Sequence, residues 1–322
     1  MRAIRFHELG GPEVLRLDEI AVPEPGPGEV RIAVDYAGVN FIDVYVRSGL
    51  YPPRSLPAIV GREGAGTIDA IGEGVAGFRV GDRAAFVDSA GGYAEAVVVA
   101  AARALPVPKD LPTEIAAALP LQGMTAHYLV RTIAEVKAGD TILVHAVAGG
   151  VGLLATQLAK RAGATVLGTC STEAKAAAAR VAGCDHPILY AEIDFAEEVL
   201  RLTGGRGVDV VLDSVGRATF AGSVRSTRVR GKIVAFGQSS GLIEPVSPRP
   251  ALGSRTLVSA ALVDYTCDDV ELHLRWREVS ELAADRELSV KIDRVHPLAD
   301  AALAHRRLEA RETSGKLLLA VR

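Results

Sequence analysis

Two patterns of apolar and polar residues divide the chain near residue 120. Before it, short β-branched runs are separated by glycine and proline, which predicts strands at residues 30–36, 65–71, 83–87 and 93–99. No repeat interrupts this region. The pattern predicts a mainly β domain, folded as a partly closed barrel.

From Thr113 onward, helical stretches alternate with apolar strands. Helices are predicted at 113–119, 123–134, 150–162, 172–181 and 195–202, and strands at 141–145, 165–170, 186–190, 208–215, 232–236 and 256–262. Apolar strands separated by helices form parallel sheets covered on both faces. The second region is therefore predicted to be an α/β, doubly wound, six-stranded parallel (Rossmann) domain.

The last segment contains one long helix, at residues 268–285, and ends in the apolar strand 316–321. A single strand is not stable alone, so this one is expected to pair with the N-terminal β region. The expected domains are therefore residues 1–122, 123–263 for the nucleotide-binding domain, and 264–322 returning to the first.

A glycine turn follows the first strand of the α/β region. Two registers of the G-x-G-x-x-G/A pattern fit, one starting at Gly150 and one at Val147, and both place Gly149, Gly150 and Val151 against a pyrophosphate. Such a turn brings the N–H groups of a helix to a phosphate without an obstructing Cβ.

The end of the next strand distinguishes between the two nicotinamide dinucleotides. NAD enzymes place an acid about 20 residues after the glycines to bind the ribose hydroxyls. Here the strand end offers Ser171, Thr172 and Lys175 instead, two hydroxyls and a cation suited to a 2′-phosphate. The same residues also suit a helix N-cap, which is compatible with phosphate binding. NADPH is the predicted cofactor.

Composition limits the other partners. A net charge of −3 provides no basic surplus for nucleic acid, and the N-terminus is too polar for a signal peptide. The three cysteines are scattered, which argues against a disulfide framework and suits the cytoplasm. No membrane partner is expected.

Familiar catalytic groups are missing from the sequence. There is no Tyr-x-x-x-Lys and no closely spaced metal-ligand pair, and the seven histidines are dispersed. His145, at the end of a buried strand, is interpreted as a packed histidine rather than a base. An enzyme of this kind needs a substrate that accepts hydride readily, such as a conjugated carbonyl compound.

Five stretches resemble one known family: 40–53 (NFIDVYVRSGLYPP), 61–66 (GREGAG), 81–83 (GDR), 145–152 (HAVAGGVG) and 213–216 (DSVG). They are similar to the NADPH:quinone oxidoreductases, the zinc-free, ζ-crystallin-like branch of the medium-chain dehydrogenases/reductases. Zinc-dependent relatives have Gly-His-Glu where this chain has Gly61-Arg62-Glu63, so no metal is expected. Arg62 is expected to pair with Glu63.

The resemblance implies a GroES-like β domain beside the nucleotide domain, and NADPH-dependent reduction of a quinone. It implies catalytic roles for Asn40, Tyr45 and Tyr51. Cofactor contacts are implied for Asn40, Phe41, Asp43, Tyr45, Tyr128, Gly149, Gly150, Val151, Ser171, Thr172, Lys175, Tyr190, Ser214, Phe236, Gly237, Ser239 and Arg311.

Two other functions stay open: an NADPH-dependent enal, enone or enoyl-thioester reductase, and a non-catalytic NADPH-binding protein with a structural or sensory role. The β-branched segment 256–262 lies at a predicted sheet edge, and such an edge is usually covered. Pairing across a two-fold axis would cover it, so a homodimer is expected.

Overall fold

The computed structural model describes residues 1–88 and 91–322. These residues form two compact units, one made of Met1–Met124 with Thr266–Arg322 and the other of Thr125–Tyr265. The first unit is therefore built from both ends of the chain, and the second is continuous in sequence.

The strands of the described chain fall into three sheets. In chain order they are β1 (Arg2–Phe6), β2 (Arg16–Glu19), β3 (Glu29–Val39), β4 (Ala58–Ile59), β5 (Glu63–Ile71), β6 (Arg83–Val87), β7 (Ala96–Ala100), β8 (Leu105–Pro106), β9 (Thr141–Val144), β10 (Thr165–Cys170), β11 (His186–Leu189), β12 (Val208–Asp213), β13 (Thr227–Ala235), β14 (Thr256–Ser259), β15 (Ile292–Pro297) and β16 (Lys316–Ala320).

The described chain contains ten α-helices. They are α1 (Phe41–Ser48), α2 (Thr113–Ala118), α3 (Pro120–His127), α4 (Gly150–Arg161), α5 (Glu173–Val181), α6 (Phe195–Leu202), α7 (Phe220–Ser226), α8 (Pro248–Leu252), α9 (Asp269–Ala284) and α10 (Ala301–Glu309). None of the helices in the described chain is both long enough and apolar enough to span a membrane.

The first unit contains two sheets, ordered β2-β1-β4 and β15-β16-β3-β5-β6-β8, with β7 also paired to β3. The long strand β3 accepts β7 along its first half and β16 along its second half. Strand β16 thus returns to the N-terminal region, as predicted, and it also pairs in parallel with β15. Burying an apolar face of Leu317 and Leu319 is the reason for this return.

The second unit is a six-stranded parallel sheet ordered β11-β10-β9-β12-β13-β14. This is the order of a doubly wound dinucleotide-binding domain, and it confirms the predicted fold class. The order reverses between β9 and β12, which creates a crevice at the carboxyl ends of the strands. Apolar residues from β9 to β13 form the core beneath it, including Leu143, Leu167, Ile188, Val211 and Ile233.

The strand limits differ most from prediction near the sheet edge. Strand β13 begins at Thr227, five residues before the predicted start at 232, because Thr227 pairs with Val208 ahead of a register shift. Strand β14 ends at Ser259 rather than at 262, since Leu262 lies in a separate short turn of helix. The predicted strand at 93–99 begins at Ala96 in the structure, because Tyr93 bonds Val60 and Ile4 instead.

Candidate functional site

The end of β3 and the start of α1 hold the first group of predicted site residues. Asn40 is the N-cap of α1, and its backbone N–H donates to Asp43 Oδ2 at 2.9 Å. A carboxylate three residues into a helix stabilises the first turn in this way. Gly49, at a φ of 88°, ends the helix in the left-handed conformation that glycine tolerates.

Three aromatic side chains from the predicted site lie together beside this turn. The ring centroids of Phe41 and Tyr45 are 6.1 Å apart, and the rings of Tyr45 and Tyr51 meet edge to face at 5.8 Å. The Tyr51 N–H donates to Tyr45 O at 3.1 Å, which fixes the loop after α1. The structure therefore brings Tyr45 and Tyr51 together, and Tyr51 remains 47% exposed.

A cavity of about 750 Å³ opens next to these rings, within the first unit. That volume accommodates a small aromatic ligand. The wall is apolar apart from a few charged groups, and it is formed by Asp43, Val46, Tyr51, Pro52, Pro53, Arg54, Ser55, Pro57, Ala58, Ile59, Val60, Gly61, Arg62, Asp88 and Gly91.

A buried ion pair lies behind Asn40. Glu63 on β5 and Lys316 on β16 are both fully buried, and their charged groups are in contact. Asn40 joins them, since its Nδ2 donates to Glu63 Oε1 at 2.7 Å and its Oδ1 accepts from Lys316 at 2.8 Å. Glu63 Oε2 accepts the N–H of Leu121 at 2.6 Å, and Gln122 donates to Asn40 Oδ1 at 3.3 Å. The Asn40 amide is thereby locked in one orientation.

The predicted pairing of Glu63 with Arg62 is wrong. Side chains alternate between faces along a strand, so Glu63 points into the unit, towards Lys316, whereas the half-buried Arg62 lines the cavity. One signal in the sequence could have indicated this ion pair: a lysine opens the otherwise apolar strand β16.

These residues do not fit a bound metal ion. A guanidinium such as Arg62 has no lone pair to offer, and both oxygens of Glu63 already accept hydrogen bonds. In the described chain no group of three or more histidine, cysteine, aspartate or glutamate side chains is placed to hold a metal ion.

A second buried network surrounds Asp43. Its Oδ2 accepts from Tyr93 Oη at 3.0 Å, and Tyr93 Oη also contacts His305 Nε2 at 3.2 Å. On its other side His305 Nδ1 is 3.2 Å from Arg47 Nη1, and Arg47 forms a bidentate ion pair with Glu309. Burial raises the pKa of Asp43 to about 7. Sequence reasoning missed Tyr93 and His305, because nothing in their spacing links them to Asp43.

In the second unit, the glycine turn follows β9 and leads into α4. Gly149 is the N-cap of this helix, and no side chain caps it, which suits binding of an anion at the helix N-terminus. A Cβ at Gly152 would lie 2.5 Å from Ala146 O, so glycine is required there for the helix to pack on the turn. Val147 is accommodated because the residue facing it on β10 is Gly168.

The residues predicted for the 2′-phosphate lie at the end of β10. Thr172 is the N-cap of α5, and its Oγ1 accepts the Lys175 N–H at 3.3 Å. The capping role is therefore confirmed. The capping bond occupies one lone pair of the hydroxyl, so the O–H remains able to donate to a phosphate.

The other predicted cofactor contacts in this unit also follow strand ends. Gly237 approaches Ser214 so closely that a Cβ would lie 2.7 Å from Ser214 O. Ser239 N–H donates to Ser214 O at 3.3 Å, which ties the ends of β12 and β13 together. Tyr190 follows β11 and is 41% exposed. Phe236 directly follows β13.

Tyr128 and Arg311 follow helices rather than strands. Tyr128 follows α3, is buried, and stacks on Tyr265 with ring centroids 4.4 Å apart. Arg311, in the first unit, follows α10 in the left-handed conformation and is exposed.

His145 is a packed histidine, as the sequence analysis interpreted it. Its Nδ1 is 2.9 Å from Thr169 Oγ1 and its Nε2 is 3.0 Å from Ser223 Oγ. Its ring meets Phe195 edge to face, and burial lowers its pKa. Asp213 accepts from Ser223, so the whole group is internally satisfied.

Comparison with known families and proteins agrees with both units. The alcohol dehydrogenase GroES-like domain matches residues 26–109, and the zinc-binding dehydrogenase family matches residues 150–284. The chain is 40% identical to a quinone oxidoreductase of Pseudomonas aeruginosa, over 99% of each chain.

Two further similarities bear on the chemistry. The chain is 38% identical to a 2-haloacrylate reductase of a Burkholderia species, over 98% of this chain and 97% of the other. It is 40% identical to the Escherichia coli quinone oxidoreductase solved in complex with NADPH, with a TM-score of 0.97 and full coverage of both chains.

Proposed function

Because this chain belongs to the quinone oxidoreductases of the medium-chain dehydrogenase/reductase superfamily, we propose that it transfers a hydride from NADPH to a quinone. Two observations within one chain carry the proposal: the second unit has a glycine turn without a side-chain cap on a doubly wound sheet, and the first unit has a cavity of about 750 Å³ beside Tyr51. NADPH supplies the hydride, and the protein supplies binding and orientation.

For the cofactor, we propose that the pyrophosphate lies against the turn at Gly149, Gly150 and Val151. The first-turn N–H groups of Gly150 and Val151 are the donors, whereas the Gly149 N–H donates to Ala146 O at 2.8 Å and Gly149 contributes the close approach of its backbone. Ser171, Thr172 and Lys175 bind the 2′-phosphate, two through hydroxyls and one through its charge. Tyr190, Ser214, Phe236, Gly237 and Ser239 contribute the remaining contacts of this unit, with Tyr128. Asn40, Phe41, Asp43, Tyr45 and Arg311 are the proposed contributors from the first unit.

Lys175→Ala tests the cofactor assignment. Loss of the cation is expected to weaken NADPH binding by about tenfold and to leave NADH binding unchanged, since only NADPH carries the extra phosphate. Arg180→Ala, on the same helix and paired with Glu173, is the matched control. An unchanged preference for NADPH over NADH in Lys175→Ala would refute the assignment.

For the substrate, we propose that the quinone binds in the 750 Å³ cavity, beside Tyr51 and close to Tyr45. The reaction is independent of zinc, because Arg62 cannot bind a metal and the oxygens of Glu63 are engaged. With Asn40 locked by its neighbours, its catalytic role is to hold the α1 end of the site in place.

NADPH oxidation with a panel of acceptors tests this function, with NADH as the cofactor control. Small quinones are expected to be the preferred acceptors, and prior treatment with a chelator is expected to leave the rate unchanged. Tight NADPH binding without turnover on any acceptor would instead support a non-catalytic, structural or sensory protein.

A second candidate is reduction of the carbon–carbon double bond of an enal, enone or enoyl thioester. One observation favours including conjugated acids in this class: Arg62, a half-buried cation in the cavity wall, could face a carboxylate. A 2-haloacrylate and 2-alkenals therefore belong in the acceptor panel. Preference for them over quinones would reverse the order of the two candidates.

We also propose a homodimer in the cytoplasm. Strand β14 is the terminal strand of the six-stranded sheet, and an uncovered parallel edge is a site for pairing with a second copy. Cys170 and Cys184 are buried thiols and the described chain forms no disulfide, which suits a reducing compartment. Light scattering checks the dimer, and a monomeric mass would refute it.

A further inference from the structure

We propose that Asp43 is the acid that protonates the reduced substrate, and that Tyr93, His305 and Arg47 hold it in the geometry for that step. This inference rests on the proposed function. Hydride transfer to a quinone leaves an oxyanion that needs one proton, and the inference assigns the group that supplies it. The argument begins with the two oxygens of the Asp43 carboxyl, which have different surroundings.

Asp43 Oδ2 is surrounded by hydrogen-bond donors. It accepts the backbone N–H of Asn40 at 2.9 Å and the hydroxyl of Tyr93 at 3.0 Å. Oδ1 is buried and has no hydrogen-bond partner in the described chain. A protonated carboxyl therefore carries its proton on Oδ1, because a proton on Oδ2 would face two donors.

Arg47 and His305 fix the direction of the hydrogen bond between Tyr93 and Asp43. Arg47 can only donate, so the Nδ1 of His305, 3.2 Å from its Nη1, must accept. The proton of the neutral imidazole then lies on Nε2 and points to Tyr93 Oη, which is 3.2 Å away. Tyr93 consequently donates its own proton to Asp43. Burial, with a smaller effect from the Arg47 charge, lowers the pKa of His305 to about 3, so this tautomer persists at neutral pH.

Asp43 also lies in the wall of the cavity that we assign to the quinone. A buried oxygen without a partner is costly unless a ligand meets it. Asp43 is thus the group in the wall that combines burial, an unused oxygen and a proton near neutral pH.

Titratable and charged groups surround Asp43 from several elements. Burial is the main cause of its raised pKa, and Lys316 and the hydrogen bonds from Asn40 and Tyr93 act in the opposite direction. A carboxyl with a pKa of about 7 is mostly protonated below neutral pH and can give up its proton there. The groups around it are Lys316 from β16, Glu63 from β5, Tyr93, His305 from α10 and Arg47 from α1, and Arg62 and Asp88 line the same cavity.

The proton balance is simple. A hydride brings two electrons and one hydrogen to the quinone, which becomes a hydroquinone monoanion. The O–H bond at Asp43 Oδ1 breaks and an O–H bond forms on the substrate oxyanion, leaving Asp43 as a carboxylate. Water entering the cavity after product release returns the proton to Asp43. Arg47 and His305 keep their protons throughout and act by position.

The test compares kcat against pH for the wild-type enzyme and two variants, with saturating NADPH and quinone. In the wild type, kcat is expected to fall as pH rises through about 7, because the acid is lost. Asp43→Asn is expected to lower kcat by about 10²-fold and to abolish this descending limb together with the solvent deuterium isotope effect. Tyr93→Phe removes a bond that both positions Asp43 and lowers its pKa, so the descending limb is expected to move to higher pH and the plateau is expected to fall.

Asp88→Asn is the matched control, since Asp88 is the second carboxyl of the same wall, and this variant should keep the descending limb. Fluorescence of Trp276 confirms folding of the first unit in each variant. An Asp43→Asn enzyme with the wild-type limb and isotope effect overturns the proposal. Wild-type protein without quinone turnover would instead overturn the proposed function, so the two failures are distinguishable.

Discussion

The ion pair between Glu63 and Lys316 allows a quantitative test of how the first unit is held together. Both side chains are fully buried, and Lys316 also donates to Asn40 Oδ1 at 2.8 Å and to Val39 O at 3.2 Å. Lys316→Met removes the cation and leaves Glu63 with only neutral donors. Removing one partner of a buried pair costs about 3–5 kcal/mol in the free energy of unfolding.

Substitution of the other partner, Glu63→Gln, and the double variant Lys316→Met/Glu63→Gln isolate the interaction itself. Glu63→Gln leaves an unpaired buried ammonium, and a similar loss is expected. The double variant has no buried charge, so its loss is expected to be about 2–3 kcal/mol smaller than the sum of the two single losses. As a control, Arg2→Met breaks the exposed Arg2–Glu95 pair and should cost less than about 1 kcal/mol.

Urea denaturation followed by tryptophan fluorescence measures these losses in the correct unit. Trp276, the single tryptophan of the chain, is buried in the first unit, and its Nε1 donates to Pro106 O at 2.7 Å. It therefore reports unfolding of the sheet that holds Glu63 and Lys316. A loss below about 1 kcal/mol in Lys316→Met would refute the reasoning, since it would mean that Glu63 is not held as a buried carboxylate.

Three further predictions concern single positions. Because the pKa of Asp43 is about 7 in the folded state against 3.8 for the ordinary side chain, stabilisation by the protonated form is lost as pH rises through 7. Relative to Asp43→Asn, the wild-type free energy of unfolding should fall by about 4 kcal/mol from pH ~4 to pH ~8. Urea titrations at each pH measure both proteins, and a difference between them that does not change with pH would contradict this. Gly237→Ala places a Cβ 2.7 Å from Ser214 O, so it should both lower the thermal unfolding midpoint and weaken NADPH binding. An unchanged midpoint in calorimetry would argue against the close approach of Gly237 to Ser214. Thr172→Ala should cost about 1 kcal/mol through loss of the helix cap whereas Thr172→Ser should not, and equal stabilities in a denaturant titration would exclude the capping contribution.

Periodicity predicted the second unit well because its information is local. Strands β9 and β10 are continuous apolar runs bounded by turn residues, and the glycines after β9 need their small size for contacts within a few residues, as at Gly152 with Ala146. The cap at Thr172 is local as well. Once the strand order reverses between β9 and β12, right-handed crossovers place helices on both faces of the sheet.

The groups around Asp43 could not be predicted in the same way. Asp43 reads as a simple helix-capping residue in the sequence, and its backbone bond to Asn40 is local. Its other neighbours, Tyr93 and His305, are 50 and 262 residues away along the chain, and only the return of the C-terminal segment brings His305 to it. The same return places Lys316 against Glu63 rather than leaving Arg62 as its partner.

The sequence by itself determined the alternating strands and helices, the glycine turn, and the absence of an acid at the end of β10 that makes a phosphate-bearing cofactor the better match. These features depend on residues within one or two turns of the chain. Tertiary structure alone decided which charges pair, which oxygen of Asp43 has no partner, and that its surroundings hold its pKa near 7. The physical reason is that desolvation and ion pairing depend on what folding brings into contact, and those contacts here join the two ends of the chain.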